Sequence, residues 1–210
     1  MIMTTVYMVL VAILVATPIG ILASVYLQEY AKQGKVVRVI RFATECLAGI
    51  PSIVYGLFGG IFFVVALKLQ YSILSGGLTV AIIILPTIIR STEEALKTVP
   101  STYREASLGL GATKFQTLYK VILPSAIPGI LSGVILSIGR VIGESAAILL
   151  TAGTVAKMPL TVFDSARTLT VHAYLLTKET GDIQTACGVG IVLIVIVFGL
   201  NTIAKLVAKK

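Results

Sequence analysis

The first 28 residues of the chain contain no charged side chain, and this run constrains the fold more than any other feature. A helix of about 20 apolar residues crosses the hydrocarbon core of a bilayer, so the run is long enough to be a span. Backbone groups in a bilayer must pair within each segment, and no strand-like alternation is present, so we predict an all-α polytopic membrane helical bundle. Four further apolar runs bring the prediction to about five transmembrane helices: Cys46 to Leu67, Leu69 to Ile89, Pro128 to Thr151 and Ile183 to Ala204. The segment from Gly49 to Ser52, which contains Pro51, is predicted to bend at the entrance of the first of these runs.

The composition agrees with a membrane protein and argues against other classes. Of the residues, 57% are apolar and 12% are charged, whereas a soluble domain has roughly 45–50% and about 25%. We therefore expect a single transmembrane domain over residues 1–210. Cys46 and Cys187 form no CxxC pair, and His172, in a predicted external loop, is the only histidine, so we predict no metal site and no cofactor. No nucleophile and base stand out together, so we expect no catalytic residues and no enzymatic activity.

The 17 Lys and Arg residues are distributed unevenly between the predicted loops. Twelve lie on one side of the membrane and four on the other, while Arg140 lies within a span. Because cytoplasmic loops carry the excess of basic residues, this bias predicts a multi-pass protein of the cell membrane whose C-terminus is cytoplasmic. The net charge of +8 is then explained by membrane topology and by contact with anionic membrane lipid. We therefore expect no nucleic acid partner. A basic stripe is predicted to face the headgroups: Lys32, Lys35, Arg38 and Arg41.

The predicted cytoplasmic loop of residues 91–127 contains three capping-box patterns, each a hydroxyl residue followed three positions later by Glu or Gln. They begin at Ser91, Thr102 and Thr113. Glycines between the second and third patterns permit a tight turn, so we predict a helix, a glycine turn and a second helix.

An apolar stripe follows Thr113 at helical spacing, formed by Phe115, Leu118, Tyr119 and Ile122. Two prolines, Pro124 and Pro128, are then predicted to break this short helix before the next span. Two interpretations of the stripe stay open: it packs on the rest of the membrane domain, or it forms a docking surface for a cytoplasmic partner.

The same loop resembles the EAA loop of ABC-transporter permeases, whose pattern is EAA, three residues, Gly, nine residues, Ile, one residue and Leu-Pro. The spacing is kept throughout, although Ser107 replaces the third residue of EAA and Val121 replaces the Ile. The resemblance implies a type I importer fold and a coupling helix that fits a groove on a cytoplasmic ATP-binding subunit, present in two copies. By this resemblance, the residues expected to couple transport to the ATPase are Glu105, Ala106, Gly111, Leu123 and Pro124.

Arg140 and Glu144 are charged residues inside an otherwise apolar run. Their spacing of four predicts that they share one helix face and can pair. Charges within a bilayer are costly and usually face a bundle interior or an aqueous path. Two interpretations stay open: the pair fastens this helix to its neighbours, or Arg140 presents its planar guanidinium to an oxyanion in transit while Glu144 orients it.

The segment from Gly139 to Ala146 resembles the GRxxGE(T/S)A segment of phosphate-transporter permeases. The segments 25–30 and 169–174 are similar to the corresponding parts of the PstA branch of that family. The resemblance implies import of inorganic phosphate along a path that includes Arg140 and Glu144. It also implies three kinds of partner: a homologous second permease subunit, the ATP-binding subunits and an extracytoplasmic phosphate-binding protein.

The alternatives are a permease for another oxyanion, such as molybdate or sulfate, a secondary transporter that needs no ATPase, and a membrane anchor that only docks a cytoplasmic complex. The second is disfavoured because the sequence shows no internal repeat. Phosphate permeases usually have six spans and a cytoplasmic N-terminus. With five predicted spans, we expect that a first transmembrane helix is missing from this chain.

Overall fold

The structure, a computed structural model, describes residues 1–208, which form only helices and loops. The predicted all-α class is therefore confirmed. Four of the helices are continued by a π-helical turn, whose range follows that of the helix. The elements are α1 (Ile2–Val25, Tyr26–Tyr30), α2 (Lys35–Gly49), α3 (Ser52–Gly59, Gly60–Ala66), α4 (Ile73–Thr98), α5 (Ser101–Gly109), α6 (Lys114–Thr117, Leu118–Ile122), α7 (Leu123–Gly143), α8 (Ala146–Leu149), α9 (Leu169–Leu175, Leu176–Thr180) and α10 (Ile183–Ala208).

Helices α1 and α4 form the centre of the bundle and run parallel. Val11 lies against Gly77, and further along both helices the Ser24 hydroxyl donates to the Ile89 carbonyl at 2.9 Å. The core between them is apolar and closely packed, with Met8 among its fully buried side chains. Both helices end at the same end of the bundle, which also carries α2, α5 and α6 and is called the α5 end.

Helix α7 runs antiparallel to α4, since Ala95 lies against Gly129 and Ser91 lies against Gly133. Helix α3 is also antiparallel to α4, and α10 packs along α7. The chain therefore crosses the bundle in alternating directions. The opposite end, called the α9 end, carries residues 67–72 and 144–182.

Four helical segments are long and apolar enough to cross a membrane, which confirms the first and last predicted spans and makes the chain a multi-pass membrane protein. They are Ile2–Tyr30, Ile73–Thr98, Lys114–Gly143 and Ile183–Ile203. A fifth is reached if the pair Lys35–Gly49 and Ser52–Ala66, bent by 98°, is counted as one span.

The predicted run from Cys46 to Leu67 begins too early, whereas the bend predicted at Gly49 to Ser52 is confirmed. Its first residues belong to α2, and the chain becomes extended at Ile50 (φ −72°, ψ 132°) before the helix restarts. Pro51 explains the break, because a proline disfavours the helical conformation of the residue before it. The Tyr55 hydroxyl donates to the Leu47 carbonyl at 2.7 Å and braces the bend. The helix after the bend is about 22 Å long, shorter than the roughly 30 Å hydrocarbon core.

Two other predicted runs have wrong boundaries. The run from Leu69 to Ile89 becomes helical only at Ile73 and continues to Thr98. The run from Pro128 to Thr151 leaves the helix at Gly143. Apolarity indicates which residues suit lipid, whereas hydrogen bonds to neighbouring segments decide where a helix ends.

Gly133 and Gly139 offer a matched test of packing on α7. A Cβ added at Gly133 would lie 2.5 Å from the Cβ of Ser91, whereas one at Gly139 would meet nothing within 4 Å. Gly133→Ala is therefore expected to destabilise the protein by about 1–3 kcal/mol. Gly139→Ala is expected to be neutral or stabilising by up to about 1 kcal/mol, because alanine favours helix. Thermal unfolding in detergent, followed by circular dichroism, measures the difference, and equal midpoints would contradict this account of the helix contact.

Candidate functional site: the exposed loop and the end of α7

Residues 101–122 form the predicted arrangement of a helix, a glycine turn and a second helix. Gly111 takes a φ of +85°, a left-handed conformation that favours glycine. The capping box at Thr113 is confirmed: the Gln116 amide donates to its hydroxyl at 3.2 Å. In return, the Gln116 side chain accepts from the Thr113 amide at 2.9 Å.

The other two capping-box predictions are wrong. Ser91 lies inside α4, and its hydroxyl donates to the Ile88 carbonyl at 3.2 Å. Thr102 is the second residue of α5, because Pro100 occupies the capping position. The proline's fixed φ starts the helix two residues earlier than the hydroxyl pattern predicts.

The predicted helix breaks at Pro124 and Pro128 are also wrong. Helix continues from Lys114 to Gly143, with Pro128 inside α7. The π-helical turn Leu118–Ile122 ends two residues before Pro124. Such local adjustments re-satisfy the backbone groups that a proline frees, so membrane helices tolerate prolines. The loop and the far end of α7 are thus joined by one helical segment.

The apolar stripe of α6 faces two ways. Leu118 and Ile122 are buried against α4 and α7. Phe115 and Tyr119 are 67% and 65% exposed, and their rings stack with centroids 6.3 Å apart. One half of the stripe therefore packs on the membrane domain, and the other half forms an exposed surface.

The predicted coupling residues lie together at the α5 end. Glu105, Ala106 and Gly111 are exposed on α5 and the turn after it, beside the fully projecting Leu110, which is 89% exposed. Leu123 and Pro124 lie at the start of α7 and are half-buried and exposed, respectively. The structure therefore presents an apolar and aromatic surface around the EAA pattern, and the role of these residues stays a prediction.

The predicted shared helix face of Arg140 and Glu144 is wrong. Helix α7 ends at Gly143, and Glu144 has extended backbone (φ −76°, ψ 130°). Its carboxylate accepts from the Ala147 amide at 3.2 Å, which stabilises the start of α8. The Thr170 hydroxyl donates to the Glu144 carbonyl at 2.8 Å, which ties the end of α7 to α9.

Arg140 itself is exposed in the last turn of α7, close to the α9 end. Among residues 1–208, three ion pairs form, and neither Arg140 nor Glu144 takes part in them. The pair therefore does not fasten the helix in this conformation.

His172 is half-buried in α9, so the prediction of a solvated loop histidine is wrong. Burial, and to a smaller degree the charge of Arg167, holds the pKa of His172 below its usual range. The buried Nδ1 of His172 and Nε of Arg167 have no hydrogen-bond partner in the described part of the chain. The imidazole is therefore neutral at neutral pH.

Ion pairs at the α5 end were not predicted from the sequence. Arg41 binds Glu93 at 3.3 Å and does not face outward with the rest of the predicted basic stripe. Arg104 binds Glu29 at 2.6 Å. The partners are far apart in sequence, so only tertiary structure brings them together.

Comparison with known proteins decides the family. Residues 16–210 match the family described as binding-protein-dependent transport system inner membrane component. The chain belongs to this family. This inner membrane component is 39% identical over 186 residues to the probable ABC transporter permease protein YqgI of Bacillus subtilis (strain 168), covering 82% of this chain and 63% of that protein.

The name of a second relative of this inner membrane component includes a substrate. It is the phosphate transport system permease protein PstA of Mycobacterium leprae (strain TN), 39% identical over 194 residues, which are 91% of this chain and 64% of that protein. The chain thus spans less than two thirds of the length of these relatives.

The fold of this inner membrane component is that of solved ABC importer permeases. An inward-facing structure of the MetNI methionine ABC transporter superposes with a TM-score of 0.81 at 22% identity, covering 98% of this chain and 92% of that one. A bacterial alginate ABC transporter, in complex with an alginate-bound periplasmic protein, superposes with a TM-score of 0.72 at 14% identity, covering 97% and 75%. The predicted importer-type fold is confirmed.

Proposed function

We propose that this chain is a permease subunit of an ABC importer that moves inorganic phosphate across the cell membrane. The observation that carries the proposal is the 39% identity, over 91% of the chain, to a phosphate transport system permease. The exposed EAA loop agrees with it, as does Arg140, which is exposed and takes part in no ion pair among residues 1–208. Energy comes from ATP hydrolysis in a separate subunit, and the chain itself is not an enzyme.

The exposed surface around Glu105, Ala106 and Gly111 is the docking site for a cytoplasmic ATP-binding subunit. Two copies of that subunit are required, one for this chain and one for a homologous second permease. Phe115 and Tyr119 add a rigid aromatic pair, and aromatic side chains are enriched at interfaces of this kind. This assignment places the α5 end and the C-terminus in the cytoplasm, as the excess of basic residues favours.

The helix that continues from Lys114 to Gly143 links the docking site to the transport path. It carries Leu123 and Pro124 near its start and Arg140 about 40 Å along its length. A displacement of the loop on ATP binding therefore moves Arg140.

Arg140 faces the passage formed with the second permease and donates paired hydrogen bonds to phosphate that an extracytoplasmic binding protein delivers. The carboxylate of Glu144 accepts a hydrogen bond from the start of α8. This bond keeps the end of α7 in place.

Copurification tests the assembly. The tagged chain is extracted in mild detergent from phosphate-starved cells, and its partners are identified by mass spectrometry, with untagged cells as control. We expect an ATP-binding protein and a second permease. Recovery of the chain alone, under conditions that preserve other membrane complexes, would favour an ATPase-independent secondary transporter.

A further inference from the structure

Arg104 immediately precedes Glu105 of the EAA pattern and holds Glu29 at the end of α1. Its Nη2 lies 2.6 Å from Oε1 of Glu29, and its Nε lies 3.5 Å from Oε2. The two side chains are only 25% and 19% exposed. Charge-assisted bonds of this forked kind fix direction as well as distance, and partial burial protects them from screening by salt.

The same guanidinium also fastens the end of α4. Its Nη2 donates to the Leu96 carbonyl and its Nη1 to the Val99 carbonyl, both at 3.1 Å. Carbonyls in the last turn of a helix lack partners within it, so Arg104 supplies bonds that α4 cannot make itself. One side chain of α5 therefore connects with both parallel central helices.

Packing contributes little to this connection. Helix α5 has no buried side chain, and a cavity of about 210 Å³ lies between α5, α6 and the end of α1. Glu29, Arg104, Leu108 and Lys114 are among the residues that line the cavity. An underpacked boundary transmits displacement poorly, which leaves the bonds of Arg104 to Glu29 as the rigid contact between α5 and the end of α1.

We propose that the Glu29–Arg104 ion pair transmits movement of α5 to α1 and α4. This inference rests on the proposed function, in which a partner subunit moves the loop. The continuous helix carries the same movement to α7. Both routes are needed for the helices on the two sides of the passage to move together. Glu29 and Arg104 are therefore positioning residues in the transport cycle.

The Arg41–Glu93 pair provides a matched control. It is also partly buried, with side chains 33% and 9% exposed, and it joins α2 to α4. Arg41 additionally donates to Gln28, so this pair too touches the end of α1. Among residues 1–208 neither side chain of this pair makes a hydrogen bond or ion pair with α5. Breaking the pair tests whether loss of any ion pair at this end has the same effect.

The test measures phosphate transported per ATP hydrolysed by the complete purified transporter in proteoliposomes. For Glu29→Ala we expect this ratio to fall about tenfold, within the range of typical coupling between sites, while ATP hydrolysis continues. Arg104→Lys keeps the charge near Glu29 but loses the fork to the two carbonyls, and we expect an intermediate ratio. Glu93→Ala is expected to lower thermal stability and leave the ratio unchanged.

A wild-type ratio in Glu29→Ala, or an equal fall in Glu93→Ala, overturns the inference. If Glu29→Ala does not assemble, Glu29→Gln decides, because it keeps the shape and loses the charge; a reduced ratio supports the inference and an unchanged ratio overturns it. Failure of the proposed function is seen separately, since the wild-type transporter would then show no ATP-driven phosphate uptake.

Discussion

Replacement of Arg140 by alanine is expected to reduce phosphate uptake by about a hundredfold or more, since removal of one partner of a desolvated charge pair costs about 3 kcal/mol or more. The bound anion would lose both its counter-charge and a forked donor. Arg140→Lys keeps the charge without the fork, so we expect an intermediate rate. Uptake of labelled phosphate by cells that carry each variant measures the effect.

We expect the Arg140→Ala substitution to lower transport without impairing folding. In the described residues Arg140 takes part in no ion pair, so its removal leaves no buried partner uncompensated. The amount of protein and its thermal midpoint are therefore expected to stay near those of the wild type. Arg38→Ala, at an exposed position of α2, is the control and should transport normally. Normal uptake by Arg140→Ala would contradict a role in the transport path.

Gly111→Val is expected to uncouple ATP hydrolysis from transport. Gly111 has a φ of +85°, which a β-branched residue adopts only with strain of about 1–3 kcal/mol. The turn also depends on bonds from the Gly111 amide to the Leu108 carbonyl at 2.9 Å and from the Ala112 amide to the Ser107 carbonyl at 3.2 Å. A valine would relieve its strain by reshaping this turn, and the docking surface would lose its alignment with α6.

Gly109→Val is the matched control for this change. Gly109 also has open space around it, but it lies in α5 without a positive φ. We expect transport per ATP to fall about tenfold in Gly111→Val, within the usual range of coupling, and to change little in Gly109→Val. Equal ratios in the two variants would show that the left-handed turn has no part in coupling.

Local patterns predicted the parts of the fold that local forces determine. The long uncharged runs predicted the spans at both ends of the chain because lipid selects apolar residues directly. Thr113 and Gln116 formed their capping box because both partners lie within four residues and nothing else competes for them. The bend before α3 followed from Pro51, whose effect on the preceding residue is equally local.

Tertiary structure decided the rest. The spacing of Arg140 and Glu144 predicted a shared face only if the helix continued, and the contact of Glu144 with α8 ended it instead. The Glu29–Arg104 pair joins residues 75 positions apart. A single sequence offers many oppositely charged pairs at such distances and no way to select among them.

The most direct test of phosphate import is transport by the purified complex in proteoliposomes, supplied with an extracytoplasmic phosphate-binding protein and labelled anions. We predict accumulation of phosphate that requires hydrolysable ATP and that excess sulfate or molybdate does not reduce. Uptake driven by an ion gradient without ATP, or ATP-driven uptake of another oxyanion in preference to phosphate, would contradict the proposed function.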